Sequence, residues 1–131
     1  MIMRGVSELE WMLDHELLLA ERYRRFVSVT MIKSKVPAEQ KQVLADTIRE
    51  SDVYFEFSDS FGAILMSETD GTGALAAVER YKQSCGADTD IRFAVGSYPQ
   101  DHQPAPKFLS TVYQRMKSAE ALEPGAVVTT D

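Results

Sequence analysis

Few side chains in this sequence could do covalent or metal chemistry. Cys85 is the only cysteine, which excludes an internal disulfide and a cysteine-rich zinc site. It precedes Gly86 and reads as a small buried hydrophobe. His15 has no second His or Cys near it in sequence and reads as a surface residue. His102 stands beside Asp101 in a polar stretch and reads as a solvated loop residue. Arg49 and Asp52, three residues apart, are more informative. A guanidinium fork and a carboxylate at that spacing are either a solvated i,i+3 pair, worth a few tenths of a kcal/mol, or part of a binding site. The two residues alone leave both readings open. Trp11 lies beside an apolar stripe rather than on it. Partial packing against the core is expected, and an exposed anchor for a partner is the alternative.

The elements that must position these residues follow from periodicity. Ser7 and Glu10 have the spacing of a capping box. Leu9, Leu13 and Leu17 repeat at helical spacing, widened by Met12 and Leu19, and predict a helix over 7–24. Residues 26–32 are rich in β-branched and aromatic types and predict a buried strand. Pro37 opens a second predicted helix that reaches about residue 50, with Val43, Leu44 and Ile48 facing the core. Val53, Phe55 and Phe57 alternate with polar neighbours, Ser58-Asp59-Ser60 is turn chemistry, and 61–66 returns as the second arm of a hairpin. Asp70-Gly71-Thr72-Gly73 opens a helix with Leu75, Val78 and Tyr81 on its apolar face, closed by Gly86. Ile91, Phe93 and Val95 alternate as a further strand. A Pro-rich loop over 99–106 leads to a helix carrying Phe108, Leu109, Val112, Tyr113 and Met116. Pro124-Gly125 turns into a short strand at Val127 and Val128.

After the leading helix the order is βαββαβ, then a helix and a strand. That is an α+β fold of ferredoxin-like plan, an antiparallel sheet with helices on one face. The chain has 131 residues, 44% apolar and 26% charged, which suits one domain over 1–131 with a core of its own. Apolar runs such as 17–20 and 62–66 are too short to span a bilayer. No secretory signal is legible at the N-terminus, so the expected location is a reducing cytoplasm. A net charge of −6 argues against non-specific nucleic-acid binding, though not against a small anionic ligand at a locally basic pocket.

Three stretches together resemble a GGDEF domain, the diguanylate cyclase family. Residues 17–32, LLLAERYRRFVSVTMI, are similar to the family's Arg-Tyr helix end and first strand. Residues 49–65, RESDVYFEFSDSFGAIL, are similar to its RxxD, signature hairpin and apolar strand. VERYK at 78–82 with IRFAVGS at 91–97 resembles the next helix and strand. The likeness covers about 17–128 and implies a nucleotide-cyclase-like sheet with flanking helices.

The resemblance implies metal-binding carboxylates after the first strand and at the third signature position. Lys33 and Ser60 stand there instead, and Ser58 and Asp59 replace the two glycines. The guanine-reading segment after the first strand is missing. Lys117 matches a phosphate-contacting lysine, but Pro124-Gly125-Ala126 replaces the Gly-Arg-Asn beyond it. The expectation is therefore no enzyme, no catalytic residue, no bound metal and no cofactor. The resemblance also implies a separate product site. Arg49 and Asp52 fall on its RxxD and Arg80 on its secondary arginine, while a helper arginine one turn earlier is Ala76. The leading expectation is a catalytically inactive, GGDEF-like receptor for cyclic di-GMP that uses Arg49, Asp52 and Arg80. Its rival is a nucleotide-independent interaction or dimerisation module with the first helix and the hairpin as contact surfaces. The expected partners are cyclic di-GMP, a protein, or a second copy of the chain, with no nucleic acid and no membrane insertion.

Overall fold

A computed structural model describes residues 2–35, 46–86 and 89–131. It contains β1 (Ile2–Arg4), α1 (Val6–Tyr23), β2 (Val27–Ser34), β3 (Val53–Glu56), β4 (Phe61–Ser67), α2 (Gly71–Cys85), β5 (Ile91–Tyr98), α3 (Ala105–Glu120) and β6 (Val127–Val128). Most of the helix expected over 37–50, including Val43 and Leu44, lies outside the described residues. Asp46 and Thr47 are helical, and Ile48 packs half-buried against the core.

The six strands form one sheet in the order β1-β3-β4-β2-β5-β6. β2 is central and antiparallel to both β4 and β5, so Thr30 faces Ile64 on one side and Val95 on the other. β3 and β4 make the expected hairpin, and β1 and β6 add parallel edges. The strands and α2 of the βαββαβ core are therefore as the order of elements implied.

Helices cover both faces: the core helix α2 lies on one, and α1 and α3, which stand outside the βαββαβ order, cover the other. Val27, Val29, Phe55, Ala63 and Leu65 point to the side packed by α1 and α3. Ile32, Ile64, Met66, Phe93 and Val95 point to the side packed by α2. The physical reason is the strand composition. β2 and β4 are buried at successive residues, and a strand apolar on both faces needs cover on both.

Local chemistry explains where elements begin. Asp70 caps α2 by accepting from the Gly73 N–H at 2.8 Å, and Gly86 closes it at φ +90°. The capping box at Ser7 does not form. β1 ends at Arg4, the chain turns at Gly5 with φ +101°, and α1 is already under way at Val6 with no side-chain cap. Two residues expected on apolar faces are substantially exposed, Leu75 and Tyr113, both at 40%. The α2 face is completed by Ala74 and Ala77 instead. Trp11 is exposed rather than packed on the core.

Candidate functional site

Arg49 and Asp52 sit at the entry to β3, as their sequence position required. The Arg49 N–H donates to Asp52 Oδ2 at 3.3 Å and the Asp52 N–H donates to the Arg49 carbonyl at 2.9 Å, a tight turn. Asp52 is 1% exposed, and its Oδ1 has no hydrogen-bond partner among the described residues. The Arg49 guanidinium stays half-exposed, with Nε 3.9 Å from Asp52 Oδ2 and Nη2 donating to Thr69 Oγ1 at 2.6 Å. Thr69 is held in turn: its hydroxyl donates to the Ser67 carbonyl, and its carbonyl accepts from the buried Ser28 hydroxyl at 2.7 Å. Ser28 then accepts from Ser97 at 2.8 Å.

Arg80 projects from α2 to the same place. It and Arg49 line one hollow of about 280 Å³, together with Thr69, Asp70, Gly73 and Ala76. Both guanidiniums act on Asp52. Burial raises the Asp52 pKa above the carboxylate's ordinary value, opposed by the Arg49 N–H and by the charges of Arg49 and Arg80. Tyr81, next to Arg80 in sequence, is fully buried, and its hydroxyl has no partner among the described residues. Its pKa is pushed up to about 12, first by burial and then by the Asp52 charge. Two acids also border the hollow, Glu68 and Asp70. Each is engaged: Glu68 pairs with Arg25 at 3.5 Å, and Asp70 caps α2. Among the described residues Arg80 makes no ion pair.

The structure puts Arg49 and Arg80 on one hollow, from the β3 entry and from α2, and sets Asp52 buried against Arg49, outside the hollow's lining. Sequence reasoning missed Thr69, which lies 20 residues from Arg49, and Tyr81, which reads as plain core. No local pattern in the sequence marks either residue.

Lys33 and Ser60 lie elsewhere, on a cleft of about 380 Å³ shared with Lys35, Asp90, Arg92 and Glu120. Lys33 Nζ bonds Glu120 Oε1 at 2.7 Å and stands 5.6 Å from the Phe61 ring. Arg92 pairs with Asp90 and donates to the Leu122 carbonyl. Lys117 lies over the Tyr113 ring. An ammonium already joined to Glu120 does not suit a divalent cation at position 33, and no group of three or more metal-ligating side chains occurs among the described residues. His15 stacks on Trp11 at the surface and His102 packs edge-on against Tyr98. Cys85 is buried, as expected of a small hydrophobe.

No protein-family profile and no curated protein matches the sequence. Solved structures do match in fold. The GGDEF domain of TpbB (YfiN) from Pseudomonas aeruginosa superposes with a TM-score of 0.88 at 17% identity, over 99% of this chain and 91% of that one. The active GGEEF domain of a diguanylate cyclase from Vibrio cholerae gives 0.80 at 11% identity, over 95% and 96%. The GGDEF domain of DgcB from Caulobacter crescentus, in complex with c-di-GMP, gives 0.75 at 7%, over 94% and 86%. The chain therefore has the GGDEF fold.

The expectation that this is not an enzyme is overturned by the same finding, because the fold is that of diguanylate cyclase domains, an enzyme family. The cleft that Lys33 and Ser60 border also carries Asp90, Glu120, Lys35 and Arg92. No helix among the described residues is long and apolar enough to cross a membrane.

Proposed function

We propose that this GGDEF-fold chain, with residues 1–131 as one domain, binds cyclic di-GMP as a regulatory ligand through Arg49, Asp52 and Arg80. One observation carries the reading. Two guanidiniums line one hollow beside a buried carboxylate whose Oδ1 has no partner among the described residues. A cyclic dinucleotide presents two phosphates and two purine edges. Arg49 is a planar fork for phosphate or for the guanine acceptor edge, and Arg80 neutralises a second phosphate. Asp52 accepts from guanine N1–H and N2–H₂, donors that adenine does not present together. The net charge of −6 opposes the ligand at long range, but about 8 Å of Debye screening at physiological salt leaves the local arginines in control.

Calorimetric titration tests this. Wild-type protein releases or absorbs heat with cyclic di-GMP, binds cyclic di-AMP far more weakly, and loses affinity as salt rises. Arg49→Ala removes about 2–4 kcal/mol, roughly 30- to 1000-fold in affinity, and Arg80→Ala removes less. No heat and no thermal shift at roughly several hundred micromolar ligand would sink the reading. A nucleotide-independent interaction role would then remain, favoured by the exposure of Trp11 at 74%.

A further inference from the structure

The outer face of α1 has no cover among the described residues. Leu9, Leu13, Leu17 and Ala20 form its buried stripe. On the opposite side of the helix lie Glu8, Trp11, His15, Leu18 and Arg22, spaced four and three residues apart. Trp11 is 74% exposed and Leu18 59%, and the Trp11 ring stacks on His15 at 6.5 Å. Single exposed apolar residues need no explanation, but a continuous Trp-His-Leu stripe directly opposite the core stripe does.

Charge along the helix says what fits the stripe. Residues 8–21 carry five acids and no lysine or arginine, whereas residues 22–25 carry three arginines. A parallel copy would set acids against acids. An antiparallel copy still lays most of the acidic stretch along itself, but it brings the two ends of the stripe, Glu8 and Arg22, into opposition. With a two-fold axis at His15, Glu8 lies opposite Arg22 and Trp11 comes within one residue of the partner's Leu18, each contact occurring twice by symmetry. Glu8 and Arg22 are exposed and make no ion pair among the described residues.

We propose that α1 docks antiparallel on α1 of a second copy of this chain, with Trp11 and Leu18 as the apolar centre and Glu8–Arg22 pairs at both ends. The proposal develops the interaction role of α1 and does not depend on the ligand hollow. A chain that dimerises without binding cyclic di-GMP, or binds it as a monomer, separates the two.

The test is sedimentation velocity on the full chain, followed in parallel by tryptophan emission. Trp11 is the only tryptophan, so its spectrum reports this face alone. Between roughly 5 and 500 µM, the range suited to a single helix-on-helix contact, the wild type passes from monomer to dimer and the emission shifts to the blue. Leu18→Glu abolishes both changes, with far-UV circular dichroism unaltered because the site is exposed. Glu8→Arg and Arg22→Glu each weaken the dimer roughly five- to tenfold, since each loses two pairs and creates two repulsions. The double variant Glu8→Arg/Arg22→Glu recovers the wild-type midpoint. A wild type that stays monomeric throughout overturns the proposal and leaves the face to a different protein. A dimer that survives Leu18→Glu, or a double variant no tighter than the singles, overturns it as well.

Discussion

Asp52 places an ionisable group where water does not reach. Its carboxyl is buried beside Arg49, with one oxygen unpartnered among the described residues. Burial raises its folded-state pKa above the ordinary value of 3.8, against the pull of Arg49 and Arg80. The sign of the linkage follows. Below pH 3.8 both folded and unfolded chains hold the proton. As pH rises through the folded-state pKa, the folded chain must release it into a buried site, and stability is lost. Asp52→Asn is therefore expected to raise the melting temperature of the ligand-free domain at pH 7. It should also flatten the fall in stability above pH 3.8. The same variant is expected to lose guanine recognition, because Asn turns one acceptor into a donor. Thermal melts across pH with and without cyclic di-GMP measure both effects. A wild type more stable than Asp52→Asn at pH 7 would contradict the burial argument.

Two elements set the shape of the hollow and of the hairpin. The first turn of α2 is pinned by the Asp70 cap, and both Asp70 and Gly73 line the hollow. Asp70→Ala should cost about 1 kcal/mol in urea denaturation, the usual value of an N-cap, and should also reduce ligand affinity by loosening that turn. In the hairpin, a Cβ at Gly62 would come within 2.6 Å of the Tyr54 hydroxyl and 2.8 Å of the Phe55 carbonyl. The tyrosine could move; the carbonyl belongs to the paired strand and cannot. Gly62→Ala is expected to destabilise by about 1–3 kcal/mol through strand displacement, read as a lower urea midpoint. A neutral result would mean that the two strands separate easily at their turn end.

For the chain as a whole, Arg115 is the tie that joins distant parts. It is only 4% exposed, and it leaves α3 to grip both oxygens of Asp101 at 2.7 and 2.9 Å. It also reaches the Val95 carbonyl on β5 and the Asp131 carboxylate. Burial by itself would raise the Asp101 pKa, but hydrogen bonds from Arg115 and from the Ser97 N–H hold it below the ordinary range. That stability is present above pH 3.8 and is lost as pH falls through the folded-state value. Arg115→Met should cost about 3–5 kcal/mol, because it strands a carboxylate that was paired and largely buried. Asp101→Asn should remove this residue's share of the acid limb of the stability profile. Equilibrium unfolding at pH 7 and at pH 3 distinguishes the two variants.

Much of the fold was legible because it depends on local chemistry. Leucines at helical spacing, alternation at Val53 and Phe55, and Asp70 and Gly86 at the two ends of α2 each specify an element within a few residues of themselves. The order of those elements pointed to the βαββαβ sheet, and the RxxD spacing placed Arg49 and Asp52 at the β3 entry. Periodicity shows which side of an element is apolar but not what covers it. Trp11, Leu75 and Tyr113 were therefore decided only by which helix lay opposite which strand. β1 was silent in the sequence, since three residues carry no period and are a strand only because β3 pairs with them. That pairing puts the turn at Gly5 and displaces the Ser7 cap. Thr69 meeting Arg49, and Asp101 meeting Arg115, join residues 20 and 14 positions apart. A hydrogen bond is made by atoms within about 3 Å, and only the closed sheet brings those atoms to that distance.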